Sequence, residues 1–83
     1  TSHRREEARY YLHVLDRPKP ALALARANWT VQREPADARL VLEAALAAGD
    51  GKAAVPVVHW LERTGLQDVH LIALAKRLQE EGG

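Results

Sequence analysis

"AAVPVVHWLER", residues 53–63, decides the fold class. Its "VPVV" centre, residues 55–58, has the β-branched crowding of a strand. A strand needs a neighbour to satisfy its backbone, and no second run of this kind stands elsewhere in the 83 residues. The stretch therefore reads as a helix over about 51–64, with Pro56 loosening its first turns and Gly65 ending it. With that reading the whole chain becomes helical.

Working outward from it, "GDGK", residues 49–52, is a turn in which Gly49 suits a left-handed helix end and Asp50 caps the next helix. Before the turn, "ARLVLEAALAA", residues 38–48, is apolar almost all round, the mark of a helix covered on more than one side. The central helix is expected at about 37–48, with Pro35 as a breaker and Asp37 as its N-cap. "PALALARANWTVQR" gives a helix over about 20–33 with Pro20 near its first position. "RPKP", residues 17–20, separates it from a first helix over about 3–15, where Ser2 is the candidate cap, Glu6 and Glu7 lie near the first turn, and Ala8, Tyr11, Leu12 and Leu15 recur at helical spacing. Downstream, Asp68 caps a last helix, "VHLIALAKRLQEE", and Gly82 and Gly83 are expected to fray. The expected core is Leu40, Val41, Ala44, Ala45, Val58, Leu61, Leu71, Ile72 and Ala75.

Composition agrees with an all-α chain. Alanine and leucine dominate, and phenylalanine, methionine and cysteine are absent. A chain of this length makes one domain and buries only about 60% of its unfolded surface, so its core must be well packed. The absence of cysteine excludes a disulfide framework and a Cys-based zinc site. A net charge of +1 with both signs interspersed points to neither a nucleic-acid nor a membrane partner. No signal peptide or transmembrane run is visible. The chain begins with Thr1 rather than methionine and reads as a fragment of a longer protein or a processed product.

The chain also repeats itself. "NWTVQREPAD", residues 28–37, aligns with "HWLERTGLQD", residues 59–68, at an offset of 31. Ala23 falls on Ala54, Trp29 on Trp60, Asp37 on Asp68, Leu40 on Leu71 and Ala44 on Ala75. An offset of 34 brings Asp16 onto Asp50. Each unit runs helix end, breaker, acidic cap and new apolar helix, the period of an α-solenoid. "PALALARANWTVQREPADARLVLEAALAAGD" resembles a tetratricopeptide repeat (TPR) segment, a likeness that covers about residues 19–78. Leu66 stands where the family pattern places a proline. The resemblance implies antiparallel helical hairpins stacked as a short solenoid of about five helices without a sheet. It also implies a concave face lined by the first helix of each unit. Trp29 and Trp60 are expected to fill the wedge between adjacent hairpins.

Motifs for chemistry are missing. His3, His13, His59 and His70 form no HxxxH or HExxH pair, so neither a metal nor any other cofactor is expected. There is no nucleophile elbow, phosphate loop or pair of inward carboxylates, and the chain is not read as an enzyme. Ala45, Gly49 and Val55 fall at a spacing similar to a DNA-binding helix-turn-helix. Its second helix would offer Ala53, Ala54, Pro56, Val57 and Val58 to the groove, with Lys52 alone at the start, and lacks the clustered basic groups that DNA demands.

The sequence thus points to a single helical repeat domain over 1–83 that binds a protein or peptide along its concave face. The alternative is a structural or oligomerising domain that pairs with its own copies, and DNA binding is a third, weaker reading. Arg39 and His70 share a repeat position, and Arg5 precedes Arg39 at the offset of 34. With Arg9, Glu43 and Arg77 they form the expected partner-binding row, whose basic members favour an acidic peptide or a C-terminal carboxylate. The carboxylate clamp of the TPR family uses groove asparagines. Asn28 is the only asparagine here and lies in a second helix, so that clamp is not expected.

Overall fold

The computed structural model describes the backbone of residues 2–81 and the side chains of residues 3–81. The Ser2 side chain, expected as a cap, and the fraying of Gly82 and Gly83 lie outside what is described. Helix α1 spans Ser2–Arg9 and runs on into a π-helical turn, Tyr10–Val14. Next come α2 (Pro18–Trp29), α3 (Pro35–Ala48), a 3-10 turn (Gly51–Ala54), α4 (Val55–Thr64) and α5 (Val69–Glu80). The described residues hold these five α-helices and no strand. The fold is all-α, as expected.

The disputed "VPVV" is helical from Val55, and the lead-in Gly51–Ala54 is a 3-10 turn rather than α-helix. Pro56 has no N–H to give and sits in the first turn of α4, while the tighter turn before it is capped by Asp50. Two other prolines lie differently from the expectation. Pro18, not Pro20, opens α2, and Pro35 opens α3 instead of breaking the chain. Both sit where a missing N–H costs no helical bond. The second helix stops at Trp29, short of residue 33.

Asp68 and Asp50 cap as expected. Asp68 Oδ1 accepts from the N–H of His70 at 2.9 Å and of Leu71 at 3.1 Å, and Asp50 Oδ1 accepts from Ala53 N–H at 3.3 Å. Gly49 and Gly65 close α3 and α4 at φ +69° and +66°, a conformation that penalises any side chain. The first helix ends without glycine. Leu15 N–H reaches Tyr10 O at 3.0 Å, and Asp16 takes φ +54°, the left-handed conformation that aspartate tolerates better than most residues.

Helix α3 packs against each of the other four. The molecule measures 30 × 26 × 18 Å, a thickness of about two helices. Alanines 8, 21, 25, 38, 44, 45 and 54 are buried and let the helix backbones approach closely. Leu12, Leu22, Leu40, Val41, Leu42, Val57, Leu61, Leu71 and Leu78 fill the space between. Trp29 is buried and Trp60 half-buried. Their rings meet edge to face, 5.1 Å between centroids, and join α2 to α4. Of the expected core, Leu40, Val41, Ala44, Ala45, Leu61 and Leu71 are buried, and Val58 and Ala75 are half-buried. Ile72 is a correction. It is 46% exposed, because α5 packs on α3 through Leu71 and Leu78, which turns Ile72 away.

Leu40→Ala should cost about 2–5 kcal/mol, and each kcal/mol lowers the melting temperature of a domain this size by about 4–8 °C. Ile72→Ala should leave the melting temperature nearly unchanged. Thermal denaturation of the two variants side by side checks the inward and outward faces of the fold.

Candidate functional site

The most densely hydrogen-bonded side chain is Asp37, and its position corrects the sequence reading. Glu34 is the N-cap of α3, while Asp37 lies three residues in and is fully buried. Its Oδ2 accepts from the Glu34 N–H at 3.0 Å, the return half of a capping box. Its Oδ1 accepts from Asn28 Nδ2 of α2 at 2.7 Å and from Arg5 Nε of α1 at 2.9 Å. A buried carboxylate is tolerated because donors from three segments surround it.

Arg5 is thereby withdrawn from the expected partner-binding row. A second guanidinium nitrogen reaches Glu34 Oε1 at 2.8 Å, and the side chain is mostly covered. Hydrogen bonds to Glu34 and then Asp37 raise its pKa above the ordinary arginine value. A raised folded-state pKa contributes stability that is complete below the ordinary value and is lost only as pH climbs through the raised one. The tie therefore does not vary near neutrality.

The same tie sets α1 beside α3, and the next turns of the two helices form a shared face. Arg9, His13, Ala36, Arg39, Leu40 and Glu43 line a groove of about 260 Å³. A second groove of about 440 Å³ adjoins it at His13 and Glu43 and extends to α5, with Leu12, Leu46 and Leu74 as its apolar floor and Asp16, Arg77 and Glu81 at its rim. Arg5 meets Asp37 and, further along, His13 meets Glu43, so the first helix and α3 run the same way. Of the expected row, Arg9, Arg39, Glu43 and Arg77 are brought to this face. His70 lies exposed one turn before Leu74 on the same side of α5, beyond the groove lining.

The row is less basic than the sequence suggested. Glu43 accepts from Arg39 Nε at 2.9 Å and lies 3.7 Å from His13 Nε2, an ion pair only when that histidine is protonated. Arg77 and Glu81 are 3.6 Å apart. Among the described residues Arg9 makes no ion pair. Sequence reasoning missed His13, Leu12, Leu46 and Leu74. Only the side-by-side packing of α1, α3 and α5 joins them. Among the described residues no cluster of three or more His, Cys, Asp or Glu side chains could hold a metal ion, and no helix is long and apolar enough to cross a membrane.

Asp37→Ala should cost about 1–3 kcal/mol, since it leaves the buried Asn28 amide and the Glu34 N–H without their acceptor while Arg5 keeps Glu34. In a double-mutant cycle with Arg5→Ala, denaturant unfolding should give a coupling of about 1–3 kcal/mol. The exposed Arg77–Glu81 pair, by contrast, should couple by less than about 1 kcal/mol. Comparison of the chain with protein-family models, with curated proteins and with solved structures finds no match.

Proposed function

We propose that the chain is a non-catalytic protein-interaction module, and that a peptide or helix of a partner protein lies along the face shared by α1, α3 and α5. The observation that supports this is the junction of two grooves at Glu43. One is edged by Arg9 and Arg39, and the other is floored by Leu12, Leu46 and Leu74. In the TPR-like reading of the repeat, these three are the first helices of successive units, and this face is the concave one. A segment carrying an acidic group and, about a turn away, an apolar side chain fits both grooves at once. The carboxylate meets Arg9 and competes with Glu43 for Arg39, while the apolar group covers the leucines. No bond is made or broken. Recognition comes from side chains held at fixed spacing on packed helices.

A titration followed by NMR, with a pool of acidic peptides, tests the proposal. Amides of Arg9, Arg39, Glu43 and His70 should shift before those of Lys52 and Arg63, which lie on the 3-10 turn and on α4. Arg9→Glu and Arg39→Glu should each weaken binding by about 1–3 kcal/mol, because repulsion replaces attraction. Arg63→Glu should leave it unchanged. Shifts confined to α2 and α4 would sink the proposal.

A further inference from the structure

Two apolar rows stay uncovered after the helices have packed, one on each of two helices that pack against α3. On α1 and its π-helical turn, Tyr10 and Val14 are 53% and 65% exposed, on the side away from buried Ala8 and Leu12. Glu7 stands exposed one turn before Tyr10 on that same side, with Glu6 beside it. On α5, Val69 is 79% exposed and Ile72 lies beside it, on the side away from buried Leu71 and Leu78. Exposed Ala73 and Lys76 continue that row. Each flank carries apolar groups at one end and charge at the other, and the charges at Glu7 and Lys76 are opposite.

The order of these groups selects one arrangement. Glu7 and Val14 are seven positions apart, as are Val69 and Lys76. Each interval is about 10 Å of helix. Laid antiparallel, the α1 row of one copy on the α5 row of another sets Val14 against Val69, Tyr10 against Ile72 and Ala73, and Glu7 against Lys76. The same register brings His3 to Glu80. Laid parallel, the two rows would press the Glu7 carboxylate onto Val69 and Val14 onto Lys76. Two α1 rows paired antiparallel would set Glu7 against Val14, and two α5 rows would set Lys76 against Val69. Of these pairings, only unlike rows laid antiparallel match apolar with apolar and acid with base, the complementarity that fixes register at an interface.

The geometry points to head-to-tail association of copies of this chain, the outward row of α1 in one copy seated antiparallel on the outward row of α5 in the next. The two surfaces differ, so every copy added leaves one of each kind free and assembly continues past the dimer. The groove between α1, α3 and α5 lies on a third side of the molecule. Self-association therefore stands whether or not that groove receives a peptide.

Sedimentation velocity of the 83-residue chain over a concentration series tests the inference. The average mass should climb beyond that of a dimer. Tyr10→Glu blocks one face and Ile72→Glu the other. Each variant alone should stay monomeric. An equimolar mixture should form a one-to-one dimer that grows no further, because it keeps a single intact pair of faces. Glu7→Lys should weaken self-association about tenfold, and adding Lys76→Glu in the same chain should restore it. A wild-type chain that is monomeric throughout overturns the inference. So does continued association of either blocked variant, or a mixture that stays monomeric. Circular dichroism monitors folding. Should Tyr10→Glu lose helicity, the charge reversal and its restoration decide, since Glu7 and Lys76 are both exposed.

Discussion

The buried carboxylate of Asp37 is the constraint on which the first three helices depend. Removing a charge from water is costly, and the cost is met only where donors converge. Here they come from α1, α2 and the start of α3 at 2.9, 2.7 and 3.0 Å. Apolar contacts can slide by a fraction of a turn at little expense, but these hydrogen bonds cannot. The tie therefore sets the register in which α1 lies beside α3. One turn beyond Arg5 on α1 comes Arg9, and two turns beyond comes His13. They line one groove with Arg39 and Glu43, so the candidate face follows from the buried tie. Asn28 completes the carboxylate's shell and leaves its own Oδ1 buried without a partner among the described residues. An unmet acceptor is a cost that the rest of the cluster offsets.

Small side chains do the remaining work of bringing helices together. The core contains no phenylalanine or methionine, and alanine takes the close crossings. The two tryptophans supply the bulk that joins α2 to α4, and Arg33 lies over the Trp29 ring, 5.7 Å from its centroid. A core of this kind is thin, with two layers of helix and much of the apolar surface near an edge. The same economy leaves Tyr10, Val14, Val69 and Ile72 facing outward. The chain thus offers two distinct kinds of surface, a mixed polar groove on one side and apolar rows with charged ends on two flanks.

Helix class and most helix ends were legible because their causes are local. Proline at a first turn, glycine at a left-handed end and aspartate before an apolar run act within four or five residues, and Asp50, Asp68, Gly49 and Gly65 behave as their neighbours dictate. The central place of α3 was also legible, since a helix apolar on all sides must be covered on all sides. The misread prolines were ambiguous locally, because the same residue closes one helix and opens the next. Ile72 was misread because periodicity gives a helix an apolar stripe without saying which edge of the stripe a neighbour covers.

The sequence by itself determined the helices, their order and the identity of the side chains that could bind or pair. It could not decide what each charge would meet. Arg5 and Arg9 are one turn apart on the same helix and look alike in the sequence, yet one is locked to Asp37 and the other is left open. That difference arises because Asp37 is 32 positions away from Arg5 along the chain and reaches it only when α3 packs against α1. The pairing of distant charges and the covering of one edge of a helix depend on how whole helices lie against one another, and only the tertiary structure decides that.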